Sequence, residues 1–205
     1  MRHLGTVTIE TERLILRAFE REDADAMFKN WASDPRVTRC LTWAPHKDEG
    51  VTRRVLDGWL REYSHGDFYE WAIVPKDLGE PVGSIGIMEL SDDRKRCEAG
   101  YCLGAEWWGK GYATEALQAV LDLALNVIGY RGVVANWLAC CHAAENPASG
   151  RVMQKAGMSM RIGDTVQVST VNGIFDCIVY EKNVPKKKGL FRKKTGPADF
   201  YRILW

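Results

Sequence analysis

The run Trp107-Trp108-Gly109-Lys110-Gly111-Tyr112-Ala113-Thr114-Glu115-Ala116 sets two glycines one residue apart, between a strand-like segment and an amphipathic helix. Such a turn bares several backbone N–H groups at a helix N-terminus, where the helix dipole adds partial positive charge. Phosphate or pyrophosphate is the ligand this place suits. The chain must therefore end a strand and start a helix at one anion-binding corner.

The rest of the sequence narrows what surrounds that corner. With 205 residues, 46% apolar and 27% charged, the chain reads as a single domain spanning 1–205. A basic extension is expected at about 183–205, where Lys186–Lys194 holds six basic residues ahead of the apolar Asp199–Trp205. A net charge of +1 gives nucleic-acid binding no support. The longest apolar stretch, around Ala116–Ile128, is interrupted by Gln118, Asp122 and Asn126, too short a run to span a bilayer. The N-terminus lacks the apolar core of a signal peptide, so a cytoplasmic location is expected. The six cysteines Cys40, Cys97, Cys102, Cys140, Cys141 and Cys177 form no C-x-x-C pair and read as buried thiols, so no metal site is expected.

Periodicity supplies the order of elements. Strands are expected at Thr11–Ala18, Tyr69–Pro75, Pro81–Leu90, Arg96–Leu103, Trp137–His142, Met158–Val168 and Ile174–Lys182, with an edge strand at the C-terminus. Helices are expected at Glu20–Trp31, Asp48–Tyr63, Tyr112 to about Ile128, and Asn146-Pro147 to Ala156, the last stopped by Gly157. The short turns between the three central strands favour antiparallel neighbours. The expectation is an α/β (α+β) fold with one mixed sheet and helices packed on it.

Spacing decides among glycine turns. G-x-x-x-x-G-K-[ST] is absent, which removes a Walker A loop. A dinucleotide turn needs a third glycine where Thr114 stands, and a carboxylate closing the next strand. What remains is Trp108–Ala116 as W-G-K-G-Y-A-T-E-A, together with Thr11-Glu12-Arg13-Leu14, Gly83-Ser84-Ile85-Gly86, Glu98-Ala99-Gly100-Tyr101 and Asn146-Pro147-Ala148-Ser149. In this order, over roughly residues 11–182, the motifs resemble the GNAT superfamily of acyl-CoA N-acyltransferases, in its RimJ/RimL-like branch of ribosomal-protein N-terminal acetyltransferases. Two departures stand out: Glu106 occupies a position usually held by Gln or Arg, with Lys110 as a partial replacement, and the segment from Gly129 to Asn146 is longer than usual.

The resemblance implies a central, mostly antiparallel sheet with a splayed parallel pair, acetyl-CoA as co-substrate, and direct acetyl transfer to an amine. That amine would be a protein N-terminus or a small molecule. It further implies that Tyr101, Cys102 and Leu103 lie along pantetheine, a backbone N–H near Leu103 polarising the thioester oxygen. The amides of Trp108, Gly109, Lys110, Gly111, Tyr112, Ala113 and Thr114 would take the pyrophosphate. The family's usual tyrosine donor position is Met153 here, so Ser149 becomes the proton donor, with Asn146 on pantetheine. Asn146 as an N-cap with Ser149 as a first-turn hydroxyl is the structural alternative. Glu98 is the first candidate base, sharing a strand face with Gly100 and Cys102; a surface Glu is the competing reading, and His142 an alternative base. Cys102 has no evident paired base and reads as packing rather than as a nucleophile. The loop Cys40–His46 with Trp31, Trp43 and Trp59 would shape the acceptor site, though core packing explains those tryptophans as well. The final strand could pair across a homodimer. An idle acyl-CoA-binding sensor is the alternative to an enzyme.

Overall fold

The computed structural model describes residues 1–39, 41–138, 147–170, 173–184 and 201–204. Nine strands form one sheet in the order β7-β8-β6-β5-β4-β3-β2-β1-β9. They are β1 (Thr8–Thr11), β2 (Leu14–Arg17), β3 (Tyr69–Pro75), β4 (Gly83–Ser91), β5 (Arg96–Leu103), β6 (Gly132–Leu138), β7 (Ser159–Thr170), β8 (Gly173–Asn183) and β9 (Tyr201–Leu204). Every neighbouring pair is antiparallel except β5 and β6.

Among the described residues five α-helices accompany them: α1 (Ala24–Met27), α2 (Pro35–Thr38), α3 (Glu49–Glu62), α4 (Tyr112–Asp122) and α5 (Pro147–Lys155). A 3-10 turn at Arg21–Asp23 leads into α1, which widens into a π-helical stretch over Phe28–Ala32; α4 likewise continues as a π-helical stretch over Leu123–Ile128. The acidic residues before α2 and α3 cap them. Asp34 accepts from the Arg36 amide and Asp48 from the Val51 amide, satisfying N–H groups the helices cannot.

Alternation along the central strands builds two cores. Tyr69, Trp71 and Ile73 of β3 join Cys97 and Ala99 of β5 under α4, where Ala116, Leu117 and Val120 are fully covered. Ala72 and Val74 face the other way, onto Phe19, Met27, Trp31 and Leu56. A strand buried on both faces reads as a continuous apolar run, which is why Tyr69–Pro75 carries a single carboxylate, Glu70.

Several boundaries differ from the sequence expectation. The first strand is two, β1 and β2, separated at Glu12-Arg13. The strand expected to begin at Trp137 begins at Gly132, because Val133 and Ala135 are wanted in the core under α4. His142, Cys140, Cys141, Asn146, Cys40 and the basic run Lys186–Lys194 lie outside the described residues. The C-terminal strand β9 pairs antiparallel with β1 of its own chain, Thr8 opposite Leu204. No helix among the described residues is long and apolar enough to cross a membrane.

Candidate active site

The glycine corner is built as its composition demands. Gly109 (φ 77°) and Gly111 (φ 86°) both occupy the left-handed region, which a side chain would strain. Gly111 caps α4, and Glu115 N–H to Gly111 O is the bond that opens the helical ladder. The amides of Tyr112, Ala113 and Thr114 therefore stand ahead of that ladder, at the positive end of the helix dipole.

A bracket from the sheet holds this corner. Glu115 accepts from the Thr11 hydroxyl at 2.6 Å, the Arg13 amide at 2.8 Å and Arg13 Nε at 2.8 Å. Arg13 Nη1 donates to Lys110 O at 2.9 Å, and its guanidinium lies over the Tyr112 ring at 5.0 Å. Burial would raise the Glu115 pKa, but the Thr11 and Arg13 donors outweigh it, so the carboxyl is held below its ordinary range. The Thr11-Glu12-Arg13 turn and the Glu115 of the glycine motif, about a hundred residues apart in sequence, thus form one unit.

Beside the corner the sheet opens. The parallel pairing of β5 with β6 runs through Arg96–Gly132, Cys97–Val133 and Glu98–Val134 and goes no further, while β6 continues along β8 as far as Leu138 opposite Cys177. The β6-facing edge of Ala99–Leu103 is left facing a gap. Across it, the Tyr101 hydroxyl meets Ser149 Oγ of α5 at 2.9 Å and donates to Ser149 O at 3.1 Å. Burial pushes the Tyr101 phenol up to about 12, with Ser149 pulling the other way, so it stays protonated at neutral pH. Trp108 Nε1 donates to Leu103 O at 2.7 Å, tying the end of β5 to the corner.

On the opposite face, Glu70, Gly86 and Gly100 sit in register across β3, β4 and β5, with Ala72, Ser84 and Cys102 as the next row. A Cβ on Gly86 would overlap Glu70 Oε2, so the glycine makes room for the carboxylate. Burial pushes the Glu70 carboxyl up to about 7, against the Ser84 hydroxyl that donates to it. Cys102 Sγ lies 3.5 Å from Ser84 Oγ, and burial pushes that thiol up to about 11. Such a thiol is protonated at neutral pH and a poor nucleophile.

One cleft of about 810 Å³ joins these parts. Met27, Trp31, Trp43, His46, Val55 and Trp59 wall one end, Glu70, Ser84, Glu98, Gly100 and Cys102 floor the middle, and Tyr101, Ser149, Gly111 and Thr114 line the other end. Burial holds the His46 pKa down, and its Nδ1 lies 2.8 Å from Thr52 Oγ1. The cleft thus runs from an apolar chamber, past a carboxylate floor and a slot in the sheet, to a glycine-capped helix N-terminus.

The acetyltransferase (GNAT) domain family matches residues 13–159, taking in the bracket, the slot and α5. The chain belongs to the GNAT acetyltransferase family. Among relatives, it is 37% identical over 116 residues to the N-acetyltransferase p20 of Bacillus licheniformis, covering 56% of this chain and 64% of p20. It is 24% identical over 159 residues to the [ribosomal protein uS5]-alanine N-acetyltransferase of Escherichia coli, covering 74% of this chain and 77% of that enzyme. A GNAT-family acetyltransferase structure from Bacillus anthracis superposes with a TM-score of 0.71 at 24% identity over 86% of this chain and 98% of the other, a likeness of fold.

As a GNAT protein the chain is an acetyl-CoA-dependent acyltransferase, and its cleft fits that co-substrate. The glycine corner presents the amides of Tyr112, Ala113 and Thr114 to a pyrophosphate, whereas the Trp108 amide donates to Ala105 O at 3.2 Å, and the gap beside Ala99–Leu103 offers strand edge to pantetheine amides. Of the residues singled out in the sequence, Glu98, Tyr101, Cys102, Leu103, Trp108, Gly109, Gly111, Tyr112, Ala113, Thr114 and Ser149 all line the cleft. Lys110 is exposed at its rim with its carbonyl on Arg13. Asn146 lies outside the described residues. Trp31 is wholly buried, whereas Trp43 and Trp59 are half-buried; all three serve the second core and the cleft wall together. Sequence reasoning missed Glu70 and the hydroxyl role of Tyr101. The signal for Glu70 was present as a lone carboxylate in an otherwise apolar strand, opposite a glycine.

Proposed function

We propose that this enzyme acetylates a primary amine that enters from the Trp43–Trp59 end of the cleft while acetyl-CoA lies in the β5–β6 slot. The observation that carries the reading is the end of β5–β6 pairing at Glu98–Val134, beside both the glycine corner and the Tyr101–Ser149 hydroxyl pair. Acetyl-CoA supplies an activated acetyl thioester. The amides from Gly109 to Thr114 hold the pyrophosphate, the Trp108 amide being bonded to Ala105 O, and the freed edge of Tyr101, Cys102 and Leu103 lies along pantetheine. An N–H near Leu103 polarises the thioester oxygen.

Glu98 takes a proton from the amine, directly or through water, and Ser149 gives one to the departing thiolate. Tyr101 supports that role: a protonated phenol at 2.9 Å can resupply the serine. Asn146 at the start of α5 is proposed for pantetheine. The acceptor is an α-amine of a protein N-terminus or a small-molecule amine. The uS5-alanine N-acetyltransferase relative favours the first, and the apolar chamber suits either. Work in the cytoplasm fits the free thiols of Cys97 and Cys102. Self-association through β9 is a further part of the proposal.

Incubation with acetyl-CoA and a panel of peptides and amines, read by free-thiol release, tests this function. Acetyl-CoA-dependent turnover with at least one acceptor is expected. Tight acetyl-CoA binding with no turnover for any acceptor would favour a sensor.

A further inference from the structure

The slot accounts for Glu98 and Ser149 but leaves Glu70 unexplained, and a carboxylate in an apolar strand is costly unless it is used. Glu70 stands on the chamber side of the floor, alongside Ala72 and beneath the end walled by Trp43, Trp59 and Val55. Its carboxylate leans over β4 into the space that Gly86 vacates. The next position in the row is Gly100, also without a side chain, on the strand that borders the slot. From the chamber to the slot, the floor is thus the Glu70 carboxylate over Gly86, then the Met88 methyl over Gly100. An ammonium group can meet the carboxylate from the chamber and reach the thioester past Met88, an exposed and unbranched side chain that can swing aside.

We propose that Glu70 is the acceptor-binding anion of this enzyme, receiving the substrate as an ammonium ion and taking its first proton, and that the substrate is a primary amine carried on an apolar or aromatic body. The inference rests on the acetyltransferase reading above. In this step an N–H bond of R–NH3+ breaks and an O–H bond forms on Glu70, leaving R–NH2 with its lone pair free. The Glu70 proton then passes to solvent through the open cleft. The second amine proton remains the business of Glu98, and the thiolate that of Ser149. Burial supports the exchange from both sides, since the environment that raises the Glu70 carboxyl lowers an ammonium beside it.

The ionisable groups around Glu70 leave that assignment intact. They are Cys102 and Glu98 on β5, Tyr63 after α3, His46 in the loop before α3, the Arg17–Asp23 pair beyond β2, and Arg36 and Arg39 on the cleft lining, Arg36 being paired with Asp34 and Glu106. Tyr63 is committed to donating to Glu70 O at 2.8 Å, and burial holds the Cys102 thiol protonated. The Arg17 guanidinium is bidentate on Asp23, at 2.7 and 2.8 Å.

The test compares wild type, Glu70→Gln and Gly86→Ala with phenylethylamine and an alanine-initiated peptide as acceptors. For Glu70→Gln, kcat/KM for phenylethylamine is expected to fall about a hundredfold, mainly through KM. Acetyl-CoA affinity should be unchanged, which also reports folding. Phenylethylammonium should raise the Tm of the CoA-bound wild type and leave that of Glu70→Gln unmoved. Gly86→Ala, which displaces the carboxylate, should lower kcat/KM in the same direction. In wild type the rise of kcat/KM with pH should keep one midpoint near 7 for both acceptors, although their own amines titrate near about 10 and about 8. That midpoint should vanish in Glu70→Gln. Wild-type kinetics and thermal shift in Glu70→Gln would overturn the proposal alone, while absence of turnover by wild type would overturn it together with the acetyltransferase reading.

Discussion

Ser149 and Tyr101 share a hydrogen bond whose two hydroxyls come from different elements, β5 and α5, and whose geometry fits a relay toward a departing thiolate. Ser149→Ala is expected to lower kcat at least tenfold, and Tyr101→Phe by less, with little change in KM for acetyl-CoA; steady-state kinetics of the two variants decide this. Glu98→Gln should lower kcat by a similar factor without the change in acceptor KM expected for Glu70→Gln. Glu70 also makes a prediction about stability. Its folded-state pKa of about 7 lies above the ordinary carboxylate value, so the folded state binds the extra proton and loses stability as pH rises from about 4.3 to about 7. Glu70→Gln removes that loss. Its Tm should therefore exceed that of wild type at pH 8 and converge with it by pH 4, as measured by calorimetry across that range.

At the scale of elements, the glycine corner is a loop that would wander without its bracket. Arg13 spans Glu115 at the first turn of α4, the Lys110 carbonyl and the Tyr112 ring, and so fixes where the amides of α4 point. Its charge is largely spent on Glu115, so its effect on a pyrophosphate is positional. Arg13→Ala is expected to raise the Kd for acetyl-CoA several-fold while leaving kcat at saturation close to wild type; isothermal titration alongside kinetics separates the two. Gly111→Leu faces a harder obstacle. It places a side chain at φ 86°, with its Cβ 3.2 Å from Arg13 Nη2, and should abolish acetyl-CoA binding altogether.

Across the whole molecule, the site and the far sheet edge are separate. The slot lies between β5 and β6, whereas β9 covers β1 four strands from β5. Removing residues 185–205 would expose the backbone edge of β1 and forfeit the ladder from Thr8–Leu204 to Thr11–Tyr201. The truncated chain should unfold a few degrees lower, with kcat/KM for acetyl-CoA unchanged. Equal Tm values in a thermal melt would show that β9 contributes nothing to the sheet.

Much of this architecture was legible in the residues. Two glycines ahead of a helix-periodic run mark where the corner forms, because glycine adopts those left-handed backbone angles without strain. Period-two spacing set Glu98, Gly100 and Cys102 on one face of β5, and they line one cleft. Local signals failed where partners are distant. Periodicity put the sixth strand at Trp137 because its apolar start, Val133 and Ala135, has meaning only beneath α4. Nothing in Thr11-Glu12-Arg13 announces Glu115 as its partner, and nothing near Tyr101 announces Ser149. Glu70 is the clearest instance: as a residue it is one carboxylate in a strand, and its Gly86 vacancy and raised pKa exist only once β3, β4 and β5 are in register. Sequence thus determined the family, the glycine-capped helix start and the order of elements, which are written in local motifs and spacing. Tertiary structure alone decided where the sheet opens, which carboxylates face the opening and how they titrate, because pairing register and burial are properties of neighbours brought together from across the chain.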